Sequence, residues 1–394
     1  MNAPLKQEFE RIKLLPPYVF AEVNRLKAEL RAKGKDIIDF GMGNPDSPTP
    51  KHIVKKLTET VQNGETHRYS MSKGIPGLRK AIAGYYQRRF GVDINPETEA
   101  VCTIGSKEGL VNMANAISSP DSTILVPDPC YPIHEFGYVL AGSKVHSLPK
   151  FTGVSFIDQV KNAVEKDKVK PLAVILNYPC NPTAETADLA FYEEMVSLCK
   201  HYGIYILSDL AYCEIYFDEP TPSVLQVKGA KDIAVEFTTM SKTYSMPGWR
   251  VGFCVGNQKL IYALTRIKSY VDYGCFTPIQ VAAAYALNSD QSCVDDVRKL
   301  YKERRDVLIE GLNKAGWPVE SPKASMFAWA KIPEKFRHLG SLEFSKLLME
   351  NAEVAVAPGI GFGKHGDEYV RIALIENKQR TRQACRNIKK FLAS

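Results

Sequence analysis

No two of the nine cysteines in this 394-residue chain stand in a CxxC pair. Cys102, Cys130, Cys180, Cys199, Cys213, Cys254, Cys275, Cys293 and Cys385 are scattered singly. That spacing argues against a structural zinc site and against a dithiol redox motif. An odd number of isolated thiols fits the reducing cytoplasm. Uninterrupted apolar runs long enough to cross a membrane are also missing. Charges interrupt Met1–Arg31 every few residues, so no secretory apolar region is expected there. Without a Lys/Arg-rich block, the formal charge of +7 is a mild basic excess, not the concentrated stripe of a nucleic-acid binder. Internal repeats and low-complexity segments are absent as well. What remains is ordinary globular composition, 45% hydrophobic and 24% charged. The length exceeds one compact core, so two or more lobes are expected.

An extended Leu14–Tyr18 stretch opens the chain, followed by a helical pattern of Val23, Leu26 and Leu30 that Gly34 stops. The turn-rich loop Gly41–Asp46 comes next. From about residue 100, short apolar runs alternate with helical stretches. The strands expected are Val101–Ile104, Thr123–Val126, Lys144–Leu148, Leu172–Leu176, Ile204–Ser208, Ile233–Thr238 and Val251–Val255. Helices are expected over Lys107–Ile117, Leu189–His201 and Gln258–Tyr270. This alternation predicts an α/β fold whose sheet is mostly parallel and covered on both faces. In such sheets ligands sit beyond the carboxyl ends of the strands. The last third changes character. A long charged helix (Cys293–Gly316), strands at Met326–Lys331, Val354–Ala357 and Tyr369–Leu374, and helices at Ser341–Glu350 and the C-terminus predict a smaller α+β lobe.

The polar motifs cluster where strands end. Thr238–Gly252 (TTMSKTYSMPGWRVG) places Lys242 just past an apolar strand, with Arg250 eight positions on. Lysine forms Schiff bases with carbonyl cofactors, and desolvation frees its amine. The hydroxyls of Thr239 and Ser241 and the Arg250 guanidinium suit a phosphate. A surface loop is the alternative for Lys242 taken alone. Asn177–Thr183 (NYPCNPT) forms a rigid turn after another strand. Asp209, in Ser208–Tyr212 (SDLAY), suits a protonated pyridine nitrogen, or else a helix cap. Ile104–Leu110 (IGSKEGL) offers backbone N–H groups at a helix start to an anion. Gly359–Gly363 (GIGFG) is not a dinucleotide fingerprint, because it lacks the GxGxxG spacing and its strand–helix flanks.

Taken in order, these motifs resemble the fold-type I pyridoxal-phosphate aminotransferases of class I/II, over nearly the whole chain. LPPYVF, MGNPD, TIGSKEG, PGWRVGF, KSYxDYG and APGIGFG look most like the bacterial alanine (glutamate–pyruvate) branch. The resemblance implies a mostly parallel seven-stranded sheet in a large domain (46–290) and a small α+β domain (1–45 with 291–394). It implies pyridoxal 5′-phosphate held as an imine on Lys242, which also shuttles the proton. Asp209 matches the partner of the ring nitrogen, Tyr212 and Asn181 the contacts to the phenolic oxygen, and Tyr131 the residue stacked on the ring. Ser106, Lys107, Thr239, Ser241 and Arg250 fall where the family binds phosphate. Tyr69 matches a tyrosine donated by the partner subunit of a homodimer with shared sites. Arg371 matches the grip on the substrate α-carboxylate, beside Gly43, Asn181 and Tyr18. Lys107 has a second candidate role, contact with a distal carboxylate. The implied reaction moves an amino group between L-alanine and 2-oxoglutarate by a ping-pong mechanism, with amino acids and 2-oxo acids as its small-molecule partners and neither nucleic acid nor membrane. Aspartate, LL-diaminopimelate or broad-specificity transfer, or carbon–sulfur lysis, uses the same constellation.

Overall fold

The computed structural model describes residues 8–393. Twelve strands occur among them: β1 (Ile38–Asp39), β2 (Ala100–Thr103), β3 (Thr123–Asp128), β4 (Lys144–Pro149), β5 (Pro171–Asn177), β6 (Tyr205–Asp209), β7 (Ala234–Thr239), β8 (Gly252–Gly256), β9 (Phe327–Lys331), β10 (Val354–Ala355), β11 (Ala357–Pro358) and β12 (Tyr369–Ala373). Seven form one sheet in the order β2-β8-β7-β6-β5-β3-β4. Only β8 runs against the rest, pairing antiparallel with both β2 and β7. All seven expected strands are present within a residue or two of their expected limits.

Their composition explains their place. β5 carries Leu172-Ala173-Val174-Ile175-Leu176, and its last five residues are buried. A parallel strand covered on both faces needs such a continuous apolar run. Successive side chains point to opposite faces. Val174, Leu176, Ile206, Ala234 and Phe253 join one core cluster, while Ala173, Ile175, Leu207, Val235 and Cys254 join another. Two helical layers therefore sandwich one sheet, which defines the α/β class.

Because β2 and β5–β7 share a direction, Gly105, Asn181, the Asp209 carboxylate and Lys242 all emerge at one edge. The reversed β8 begins at that edge too, bringing Arg250 with it. A second sheet, β11-β12-β9, and the β1-β10 pair build a separate core around Trp317, Phe327, Phe344 and Ile388. The expected single strand Val354–Ala357 is in fact two strands. β10 pairs in parallel with β1, and after Val356 the chain passes to β11, which pairs with β12. An apolar run shows burial but not a change of partner.

One buried group of the large sheet is out of place electrostatically. Glu236 on β7 is wholly buried. It accepts hydrogen bonds from Ser223 Oγ at 2.5 Å, Val224 N at 2.9 Å and Tyr86 Oη at 3.1 Å. Burial outweighs these donors and pushes its pKa from 4.5 up to about 7. Between those two values the folded chain keeps a proton that the unfolded chain has lost, so stability falls as pH rises through that window. Glu236→Gln should remove this loss, flattening by up to about 3 kcal/mol the difference in stability between about pH 5 and about pH 8. Chemical denaturation of both proteins at the two pH values measures it, and equal pH slopes would refute the assignment.

Candidate active site

One cavity of about 370 Å³ lies at the carboxyl edge of the large sheet, walled on its other side by β12 and the Val19–Ala32 helix. Every site residue expected from the sequence lines it except Tyr69.

Lys242 sits in the short helical turn Met240–Thr243 that follows β7, which Thr239 Oγ1 caps by accepting from Ser241 N at 3.1 Å. Its Nζ donates to Gly43 O at 2.8 Å and stands 5.9 Å from the centre of the Tyr212 ring. Desolvation, then the positive charges of Arg371 and Arg250, lowers its pKa from 10.5 to about 8. Arg371 is buried. Nη1 donates to Asn181 Oδ1 at 2.7 Å and Nη2 to Gly41 O at 3.2 Å. Its guanidinium lies 4.1 Å from the Phe327 ring centre and 4.6 Å from that of Phe362. Nε finds no partner among the described residues. Burial lowers even this arginine, from 12.5 to about 10. Neither cation forms an ion pair with a described carboxylate.

Asp209 closes β6. No helix follows it; its Oδ1 instead accepts from Ala211 N at 3.2 Å in a local turn. Oδ2 lies 2.9 Å from Nε2 of His134, whose side chain is fully buried. Asn177 Nδ2 donates to the Asp209 carbonyl at 2.9 Å, and Asn177 Oδ1 accepts from Asn181 N at 2.9 Å. The two strand-end turns are thus locked together. Tyr131 forms a wall, edge-on to His134 at 5.8 Å. Tyr212 is buried, and burial raises its hydroxyl well above the usual range.

At the far end, the helix Ser106–Ile117 starts without a side-chain cap, leaving its first N–H groups to a ligand. Gly105, with φ +76°, permits that start, and a Cβ there would stand 2.5 Å from Arg250 Nη2. The missing side chain makes room for the guanidinium against the helix end. Thr239 Oγ1 donates to Ser241 Oγ at 2.9 Å beside it. A Cβ at Gly43 would meet Phe327 Cζ at 2.8 Å, so the loop lies tight over Arg371. Tyr18 is at the rim, 69% exposed. Lys107 is exposed, its Nζ 5.8 Å from the Tyr131 ring centre. Tyr69 is 87% exposed and stacks on Tyr273 at 4.7 Å, away from the cavity of its own chain.

Sequence reasoning did not foresee Phe327 or the Lys27–Asp39 pair in the cavity wall, or His134 behind Asp209. His134 carries only a weak signal, a polar residue one helical turn after Tyr131. Phe362 was visible inside the GIGFG segment, but its contact with Arg371 was not.

The sequence profile described as aminotransferase class I and II matches residues 35–388. A putative aminotransferase, AatC of Rhizobium meliloti, is 63% identical over 98% of this chain and 96% of its own. The glutamate–pyruvate aminotransferase AlaC of Escherichia coli is 54% identical over 98% and 93%. An LL-diaminopimelate aminotransferase of Natranaerobius thermophilus is 43% identical over 98% and 100%. Among solved structures, substrate-bound BacF of Bacillus subtilis superposes with a TM-score of 0.89 at 34% identity, covering 98% of both chains. The chain belongs to the class I and II aminotransferases, fold-type I enzymes that depend on pyridoxal phosphate. The cavity fits that cofactor on its own evidence: an uncapped helix end with Arg250 for phosphate, an amine with depressed pKa, and a carboxylate at the floor.

A lysine with a pKa of about 8 is half free amine at pH 8, against roughly 0.3% for an ordinary lysine. In the apoprotein, capture of pyridoxal phosphate at Lys242, trapped by borohydride and mapped by peptide mass, should therefore rise with a midpoint near pH 8. A midpoint above about 10, the ordinary lysine value, would contradict the electrostatic reading of the site.

Proposed function

We propose that this aminotransferase moves the amino group between L-alanine and 2-oxoglutarate, with glutamate and pyruvate in reverse. The observation that carries it is the cation inventory of the cavity. Among the described residues Arg371 is the only buried arginine in the wall, held by neutral acceptors and open to a carboxylate. A planar guanidinium suits that ligand through two parallel hydrogen bonds. The remaining lysines do not duplicate it: Lys107 is exposed, and Lys27 is already bound to Asp39 at 2.6 Å. An α-carboxylate is thus gripped firmly, while a second carboxylate meets at most a mobile charge. Such a pocket admits both a methyl group and a propionate arm. The 54% identity to the glutamate–pyruvate enzyme supports the same choice. Diaminopimelate, aspartate or broader transfer is the competing reading, supported by the relatives at lower identity.

The geometry supports the following roles. Bound pyridoxal phosphate supplies an electron sink for the substrate's breaking Cα–H bond. Lys242 would hold the cofactor through Nζ and, as a free amine, would take the substrate's Cα proton. Asp209, oriented by His134, would be the partner of the ring nitrogen and favour its protonated form. Asn181 uses Oδ1 on Arg371, which leaves Nδ2 for the phenolic oxygen together with Tyr212. Tyr131 covers the ring. Ser106, Thr239, Ser241, Arg250 and the helix N-terminus take the phosphate, with Lys107 beside them. Arg371, Gly43 and Tyr18 position the amino acid.

The active unit in this reading is a homodimer with shared sites. Tyr69, Tyr262, Tyr270, Val271 and Tyr273 leave a large aromatic and apolar surface exposed, which marks an interaction face. The partner subunit's Tyr69 then reaches the phosphate. We divide the chain into a large lobe (46–290) and a small lobe (1–45 and 291–394). The packing of Ile38 and Phe40 with residues 297–391 supports this, though Ala211–Phe217 also packs into the small-lobe core. The nine unpaired cysteines favour a cytoplasmic setting. Among the described residues no helix is long and apolar enough to cross a membrane.

Two outcomes test this. With 2-oxoglutarate fixed, kcat/KM should be highest for alanine among alanine, aspartate, diaminopimelate, methionine and aromatic donors. An advantage of about tenfold for aspartate or diaminopimelate, some 1.4 kcal/mol, would replace the alanine assignment. Mixing inactive Tyr69→Ala and Lys242→Ala proteins should restore part of the activity, because each hybrid dimer holds one complete site. No recovery after demonstrated subunit exchange would refute site sharing.

A further inference from the structure

The loop that lies over Arg371 is not held by its own backbone. β1 ends at Asp39, and Phe40 is pinned on both sides, its N–H donating to Ala355 O at 2.8 Å and its carbonyl accepting from Ala373 N at 2.9 Å. Beyond it, Gly41 N–H is held by a side chain, donating to Asp39 Oδ1 at 2.9 Å. The carbonyl of the same Gly41 accepts from Arg371 Nη2. Two residues on, Gly43 O accepts from Lys242 Nζ. One carboxylate therefore holds the N–H of the same glycine whose carbonyl orients the guanidinium. That carboxylate is itself fixed through its other oxygen. Lys27 Nζ, on the Val19–Ala32 helix, donates to Asp39 Oδ2 at 2.6 Å, with only 12% and 16% of the two side chains exposed. Asn24 Oδ1, one turn earlier, accepts from the same ammonium at 2.9 Å.

We infer that Lys27, acting through Asp39 and Gly41, is a positioning residue for the substrate-carboxylate site. The inference rests on Arg371 being the carboxylate anchor. Without Lys27, Asp39 is a half-buried carboxylate that lacks its cation, and it turns toward solvent to recover hydration. Gly41 N–H then loses its acceptor, the φ and ψ of Gly41 lose that restraint, and the carbonyl that fixes one arm of the Arg371 fork is no longer held in place. Lys242 meets this loop only at Gly43, two residues further on, and the phosphate end of the cavity lies outside the chain of contacts. Carboxylate binding should suffer while cofactor binding does not.

The probe is propionate, which has alanine's carbon skeleton and carboxylate but no amine to react. In the holoenzyme, Lys27→Met should raise both the propionate inhibition constant and the KM for alanine about tenfold, the scale of one hydrogen bond to a charged group. The kcat should fall far less, and cofactor retention on dialysis should match wild type. Lys27→Arg should restore most of the binding. The contacts run in series, so Lys27→Met/Asp39→Ala should be no worse than Asp39→Ala alone. If Lys27→Met does not fold, Asp39→Asn carries the test. It keeps an oxygen for Gly41 but no charge for Lys27, and should weaken propionate in the same direction by a smaller factor. Arg371→Lys is the reference. If it weakens propionate and the Lys27 and Asp39 variants do not, the positioning inference fails and the anchor stands. An unchanged propionate constant in Arg371→Lys would remove the anchor and the inference with it. Loss of glutamate and 2-oxoglutarate binding alone, with alanine and propionate spared, would make Lys27 a distal-carboxylate contact and overturn the positioning role.

Discussion

Two cations, buried Arg371 and largely buried Lys242, share one cavity with no acid among the described residues to neutralise either, and most of the local structure follows from keeping them there. Burial disfavours each charge, and each further disfavours the other. The surroundings hold them with neutral groups: the Asn181 amide oxygen, the Gly41 and Gly43 carbonyls, and two phenyl faces. A salt bridge would be a simpler way to bury an arginine, but it would consume the charge that a ligand needs. Lys242 responds to the same field by approaching its neutral form near physiological pH, which is the form able to attack a carbonyl and accept a proton.

The sheet brings these groups together by direction alone. Residues about 100 positions apart in sequence meet because parallel strands all end at one edge, and the reversed β8 contributes Arg250 from its beginning. Arg371 comes from elsewhere, on the β11-β12-β9 sheet with its own core. In the proposed assignment, phosphate and base chemistry therefore sit on one scaffold and carboxylate recognition on another. Only loops and side chains join them, notably Asn181 and the Gly41–Gly43 segment. Any relative movement of the two scaffolds changes the grip on the carboxylate before it changes the grip on the phosphate.

Strand positions were legible because buried parallel strands are continuous apolar runs, as in Leu172–Leu176. The motif residues were legible because Gly, Pro and Asn punctuate the ends of those runs. The helix Pro76–Phe90 was less visible. It is buried on several sides, including at Arg79, whose guanidinium reaches the Pro96 carbonyl and Glu97, so no one-sided apolar stripe marks it. His134 and Phe327 were invisible for a different reason. Each works by touching a residue distant in sequence, and neither its type nor its spacing announces that contact. The helix-cap alternative for Asp209 also looked sound locally, and was removed only by the absence of a helix after β6.

Substrate choice is the property least fixed by the residues that do the chemistry. Lys242, Asp209 and Arg371 treat every amino acid alike, since all offer an amine, an α-hydrogen and a carboxylate. Discrimination has to come from the side-chain end of the cavity, where the cost of a mismatch depends on how rigidly the opposing charge is held. A fixed, desolvated second arginine would reward a distal carboxylate and leave itself unpaired when alanine bound, a penalty that excludes small substrates. An exposed Lys107 carries no such penalty, because water solvates it when no carboxylate is present. Lys27 carries none either, since Asp39 satisfies it in the absence of any ligand. A transaminase that alternates between a methyl and a carboxylate side chain in one ping-pong cycle needs this asymmetry: one carboxylate site that is dry and exact in geometry, and one that is wet and forgiving.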